Sequence, residues 1–212
     1  QNGTLTLSPG QNVTCTFTND DAAPTITLIT SVVNDNGGNK APSDYPIRIN
    51  GTAVAQNTAI PVLANVQQNI NEIALAGYGL TGITGTSCPA SQNGTLTLSP
   101  GQNVTCTFTN NDQQAYIIVD KTVTNDNGGS AVADDFSLKV DGNAALDGVK
   151  VPVNPGAHTA SETNLPGYTA GDFGGDCDAA GNVSVALGET KTCTITNNDQ
   201  QAYIIVDKTV TN

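Results

Sequence analysis

The residues in this sequence with chemistry to offer are five cysteines, one histidine and two copies of Asn-Asp-Asn-Gly-Gly. The cysteines stand at 15, 88, 106, 177 and 193. Zinc ligation would need a Cys-x-x-Cys pair or several histidines, and neither occurs. Disulfide pairing is the better use. Repeat register suggests Cys88–Cys106 and Cys177–Cys193, with the partner of Cys15 lying before residue 1. Such bonds form in an oxidising compartment, which points to export. His158 sits near Ser161 but has no triad signature around it, so it reads as a surface histidine at a strand end. The loops at 34–38 and 125–129 alternate oxygen ligands before glycine, which makes Asp35 and Asp126 weak calcium candidates. They lack the closing bidentate acid of an EF-hand, and an Asx turn explains them as well. Asn-x-Ser/Thr acceptors for glycosylation stand at Asn2, Asn12, Asn50, Asn93, Asn103 and Asn182.

The elements that must carry these residues are repeated. Residues 1–19 recur unchanged at 92–110, and residues 110–125 recur unchanged at 197–212. Weaker matches join them: Ser31–Gly38 with Thr122–Gly129, and Asn71–Gly79 with Ser161–Thr169. One unit therefore runs over 22–112 and a second over 113–199. Residues 1–21 read as the C-terminal strands of a preceding repeat, and 200–212 as the first strand of a following one. The sequence is then either a window on a tandem protein or a subunit whose loose ends complete its neighbours by strand addition. It begins at Gln1 with no recognisable signal peptide, as a processed chain or a fragment would.

Within each unit, Thr and apolar residues alternate with period two, as in 25–29, 103–109, 136–140 and 192–196. Asn-Gly, Asp-Gly, Gly-Gly and Pro-Gly pairs break the runs and supply the positive φ of tight turns. About seven short strands per unit point to an all-β fold of tandem Ig-like or transthyretin-like sandwiches. The charge of −12, with only 7 basic residues in 212, disfavours nucleic acid and anionic membranes as partners. No apolar run approaches the ~20 residues that span a bilayer.

Three motifs carry a family resemblance: a strand with lysine ahead of a turn (117–129), a glutamate ahead of Pro-Gly-Tyr (161–168), and a last strand ending in asparagine (192–197). In these the sequence resembles the prealbumin-like, B-type repeat domains of Gram-positive collagen adhesins and pilins. The resemblance implies an intramolecular isopeptide bond in the second unit between Lys121 and Asn197, with Glu162 moving protons. The alternation places Ile117, Val119 and Lys121 on one strand face, and Cys193, Ile195 and Asn197 on one face of theirs. In an apolar core an amine gives up its proton readily and a carboxyl retains one. The first unit keeps Glu72 and Asn110 but has Thr30 in place of lysine, so no such bond can form there.

These features together read as a non-enzymatic, extracellular or cell-surface structural protein: a filament, stalk or adhesin shaft that needs no cofactor. Its partners would be copies of itself. A second reading is an adhesin module for a glycan or matrix protein, with Tyr45, Tyr78 and Tyr168 as the aromatics to inspect. A third is the accessory domain of a secreted hydrolase.

Overall fold

A computed structural model describes residues 3–211. Eight strands fall between residues 25 and 112: β1 (Thr25–Val33), β2 (Ile47–Ile49), β3 (Thr52–Ala53), β4 (Ala59–Pro61), β5 (Gln67–Glu72), β6 (Tyr78–Thr84), β7 (Thr95–Thr97) and β8 (Asn103–Asp112). Nine more follow: β9 (Ala115–Thr124), β10 (Ser137–Val140), β11 (Asn143–Ala145), β12 (Val151–Val153), β13 (Gly156–Thr163), β14 (Tyr168–Ala170), β15 (Gly174–Gly175), β16 (Asn182–Val185) and β17 (Thr190–Asp199). The β2–β3 and β10–β11 hairpins turn on Asn50-Gly51 and Asp141-Gly142. All four turn residues have positive φ, which these residue types tolerate.

Each unit makes two sheets. In the first, the orders are β4-β1-β8-β6 and β3-β2-β5-β7; in the second, β12-β9-β17-β14, with β15 also on β17, and β11-β10-β13-β16. The first and last strands of each unit lie side by side and parallel. Thr25 faces Asn103 at one end of the β1–β8 pair and Val33 faces Asn111 at the other. In the second pair Tyr116 faces Thr190 and Thr124 faces Asn198.

The period-two pattern turns one face of every long strand inward. Ile26, Leu28, Ile47, Ile70, Val104 and Phe108 form the core of the first unit. Ile117, Val119, Leu138, Val140, Val183 and Ile195 form that of the second. The cores are rich in aliphatics and poor in rings, as expected of a chain with only four Phe and no Trp. In this architecture burial of apolar surface supplies the main stabilisation, at about 25 cal/mol per Å².

Residues 3–24 form no strand, and neither do 200–211. Their copies elsewhere do: 95–97 and 103–112 pair with β5, β1 and β6, and 115–124 pairs with β17 and β12. The same sequence is a strand where a partner edge is open to it. In this chain those edges are already filled by its own copies, and a strand without a partner does not hold.

β8 ends at Asp112 and β9 starts at Ala115, so the units run on almost directly. Gln113 joins them: its N–H donates to Gly77 O (2.9 Å) and its carbonyl accepts from Gly188 N–H (3.0 Å). Gly77 and Gly188 have positive φ, and Leu187 packs onto Gly77 where a Cβ would stand. At the far end of the second unit the same bond recurs, Gln200 N–H donating to Gly167 O (2.8 Å).

Candidate functional site

The parallel pairing of β9 with β17 brings Lys121 and Asn197 to the same interior region, and β13 supplies Glu162 from the opposite sheet. Lys121 Nζ lies 2.7 Å from Glu162 Oε2, with the two side chains 0% and 2% exposed. Asn197 Nδ2 donates to Glu162 Oε1 at 2.6 Å, and Asn197 is wholly buried. The carboxylate thus touches both the amine and the amide. Asn197 Oδ1 has no hydrogen-bond partner among the described residues. Two further groups flank the lysine. Its backbone N–H donates to Asp147 Oδ1 (2.7 Å), and its Nζ lies 4.3 Å from the centroid of the Phe136 ring. Phe136 meets Tyr168 edge-on, with centroids 5.5 Å apart.

The first unit builds the same frame without the amine. Thr30 Oγ1 donates to Glu72 Oε2 (2.6 Å), and Asn110 Nδ2 donates to Glu72 Oε1 (2.6 Å). Gln56, in the place of Asp147, accepts from Thr30 N–H and donates to Thr30 Oγ1, both at 2.9 Å. Burial holds the Glu72 carboxyl above the usual range, against the opposing pull of the bonds from Thr30 and Asn110. Tyr45 stands where the second unit has Phe136. It is buried, meets Tyr78 edge-on at 6.1 Å, and its hydroxyl has no partner among the described residues. Burial, then Tyr78 and Glu72, push the phenol up to about 12.

The Asn-Asp-Asn-Gly-Gly loops close over a carboxylate that sequence reasoning missed. Asp112 Oδ1 accepts from Asp35 N–H (3.0 Å), and Oδ2 from Asn36 N–H (2.9 Å) and Gly38 N–H (2.6 Å). Asp199 repeats this with Asp126 (2.9 Å), Asn127 (2.9 Å) and Gly129 (2.7 Å). Burial pushes both carboxyls up, but the converging N–H groups outweigh it and hold them below the ordinary value. The loops therefore present N–H groups inward to an anion of their own chain. Asp35 and Asp126 face outward and accept only from the neighbouring Asn36 and Asn127 side chains. The signal was present in the sequence: each loop is matched by an aspartate two residues past the terminal Asn of the last strand.

The tyrosines offered as a ligand-binding cluster belong to this interior lock. Tyr78 Oη donates to Asn34 Oδ1 (2.7 Å) and accepts from Lys40 N–H (2.9 Å). Tyr168 does the same with Asn125 (2.6 Å) and Ala131 (2.9 Å). With Tyr45 and Tyr78 buried, these rings do not form an exposed aromatic patch, which corrects that expectation.

Cys88 is bonded to Cys106, and Cys177 to Cys193, each tying a late loop to the last strand; Cys15 is free and exposed. His158 departs from the surface reading. Its side chain is only 11% exposed, with Nδ1 at 2.6 Å from Asp141 Oδ2 and Nε2 at 2.7 Å from Asn154 O. Burial lowers the imidazole, but the Asp141 and Asn154 bonds prevail and raise it. In repeat register the first unit has the neutral pair Asn50 and Gln68, bonded at 2.7 Å. Of the glycosylation acceptors, Asn12, Asn50, Asn93, Asn103 and Asn182 are exposed, and Asn2 lies outside the described residues.

Residues 20–108 and 112–195 each match the model of the prealbumin-like fold domain. The chain belongs to that family. Among curated proteins no sequence matches it. Solved structures similar to this prealbumin-like chain include the Bacillus anthracis TIE protein (13% identity, TM-score 0.42). That match covers 84% of this chain and 35% of the Bacillus chain, so this sequence spans about a third of it. A C-terminal fragment of the pilus adhesin SpaC from Lactobacillus rhamnosus GG is 15% identical (TM-score 0.38), covering 87% and 100%. The major pilin of Streptococcus pyogenes is 12% identical (TM-score 0.34), covering 85% and 99%.

Proposed function

We propose that the chain is a structural segment of an extracellular or cell-surface shaft, a filament, stalk or adhesin stem, whose second sandwich locks itself with a Lys121–Asn197 isopeptide bond. The observation that carries this is the Lys121–Glu162–Asn197 contact. Its groups are enclosed, so its chemistry is directed at the chain itself and not at a diffusing substrate. Glu162 takes a proton from the Lys121 ammonium. The neutral amine attacks Asn197 Cγ, and protonated Glu162 stays against Nδ2, the nitrogen that must leave. The Nζ–Cγ bond forms, the Cγ–Nδ2 bond breaks, the carboxyl gives its proton to the leaving nitrogen, and the second proton of the attacking amine passes to the freed carboxylate. Ammonia departs, and Glu162 is left protonated and neutral. A buried ion pair is replaced by a neutral amide, which removes the desolvation penalty of two enclosed charges.

Two further features support the shaft. The disulfides suit an oxidising environment. The Gln113 joint leaves no free linker between sandwiches, and its bond to Gly77 recurs at Gly167. Association with further copies, within one polypeptide or between subunits, follows from that joint. Intact-mass measurement of the reduced, denatured chain tests the reading. The expected mass is lower than that of the sequence by one ammonia, with a crosslinked peptide joining the segments that contain Lys121 and Asn197. An unshifted mass overturns the lock.

A further inference from the structure

The two sandwiches differ at a second position beside the triad. Where Lys121 is present, the ring that faces it is Phe136, whose centroid lies 4.3 Å from Nζ. Where Thr30 replaces lysine, the ring is Tyr45, which carries a buried hydroxyl that bonds to nothing among the described residues. A buried hydroxyl without a partner is costly, and a sequence free to choose Phe there would avoid it. We infer that the aromatic residue at this position decides whether a first-strand lysine can crosslink: Phe136 leaves the Lys121 amine only Glu162 and Asn197 to address, and the hydroxyl of Tyr45 would keep the first sandwich from that chemistry even with a lysine at position 30.

The physical reason is competition. A phenyl face holds an ammonium by its quadrupole and offers no lone pair. A phenol oxygen in the same enclosed space is both acceptor and donor. An amine placed at position 30 would hydrogen-bond to it and satisfy an orphaned group at once. This draws the nucleophile away from Asn110, although Asn110 and Glu72 are otherwise set as Asn197 and Glu162 are. Phe136 thus contributes by offering the amine no lone pair, and it takes no part in bond making.

The inference rests on the crosslinking proposed for the second sandwich, and the test separates the two. Intact mass is measured for the unmodified sequence, F136Y, F136L, T30K and T30K/Y45F, with thermal melting as the check on folding. The unmodified chain reads the crosslink itself; loss of no ammonia overturns that reading. For the inference, F136L is expected to keep the crosslink, whereas F136Y lowers the crosslinked fraction by about tenfold or more, the scale of one hydrogen bond to a charged group. T30K is expected to lose no more ammonia than the unmodified chain, and T30K/Y45F to lose one more, now between residues 30 and 110. The inference is overturned if F136Y crosslinks as fully as the unmodified chain, if F136L fails as F136Y does, or if T30K alone gains the second bond. The T30K and T30K/Y45F pair decides it even where the second sandwich proves uncrosslinked, because any new bond lies in the first: a bond in the double variant alone supports the inference, and none in either overturns it.

Discussion

At equivalent places in the two sandwiches a buried glutamate holds the asparagine of the last strand, Glu72 with Asn110 and Glu162 with Asn197. What meets the glutamate from the first strand differs: a threonine hydroxyl in one, a lysine amine in the other. The frame is shared because the fold needs it. Two parallel strands at the centre of a sheet must be tied to the opposite sheet across the core, and a buried carboxylate with two donors does this in either case. The chemistry is an addition of a few atoms to a structural polar cluster. This accounts for a reactive-looking site and an inert one on the same scaffold, and it offers direct ways to break the comparison.

The largest effect is expected from K121T, which gives the second sandwich the first one's threonine. The chain should no longer lose ammonia. The crosslink would close a loop of about 76 residues between Lys121 and Asn197. By chain entropy its removal costs about 4 kcal/mol, read as a lower melting temperature of that sandwich. E162Q should also abolish the mass change while keeping the shape of the side chain. Next come the disulfides. Replacing Cys88 and Cys106, or Cys177 and Cys193, with serine pairs should cost about 3 kcal/mol in the affected sandwich in denaturant unfolding, by about the same amount in each. A marked inequality would mean that one unit relies on its bond more than the other.

The lock aspartates sharpen the comparison from the shared side. D112N and D199N should each lower the melting temperature of their own sandwich, since each removes the charge that gathers three N–H groups. Because both carboxyls are held below their ordinary value, their stabilisation is present above the usual carboxylate range and fades as pH falls through the folded-state value. Glu72 runs the other way. Its carboxyl is held high, so its contribution is fullest at low pH and declines as pH rises from the ordinary carboxylate range toward the raised value. Melting of each sandwich against pH should therefore show opposed slopes within the first unit. The smallest effect belongs to His158. Its raised value means stabilisation that is complete below the ordinary imidazole range and lost as pH rises through the folded value. The double variant D141N/H158Q, which copies the neutral pair of the first sandwich, should flatten that dependence in the second.

Much of the fold was legible. Alternation marked the strands, glycine pairs marked the turns, and the repeat register put Cys88 with Cys106 and Cys177 with Cys193. Lys121 and Asn197 could be placed on inward faces by counting in twos, and Glu162 by the family resemblance. Three things were hidden, each for a physical reason. The partner of an Asn-Asp-Asn-Gly-Gly loop lies more than 70 residues away in sequence, at Asp112 or Asp199, so no local pattern names it. The tyrosines carry a polar tip, which suggests exposure, yet here the tips of Tyr78 and Tyr168 bond to a loop inside the fold and that of Tyr45 is buried with no partner among the described residues. The segments 3–24 and 200–211 have strand sequences, but strand formation depends on an open edge, which sequence alone does not specify.

The parallel pairing of first and last strands has a consequence for a shaft under tension. A pull on the two ends of a unit enters at the start of its first strand and leaves at the end of its last. These points lie at opposite ends of the same pair, so the load slides one strand along the other and strains the whole row of hydrogen bonds together. In the second sandwich, a bond from Lys121 to Asn197 would carry the load directly across, leaving residues 122–196 slack. The first has no such bypass. It is the sandwich that would yield, paying out chain until the link between Cys88 and Cys106 holds the remainder, so the chain would combine a rod with an extensible damper.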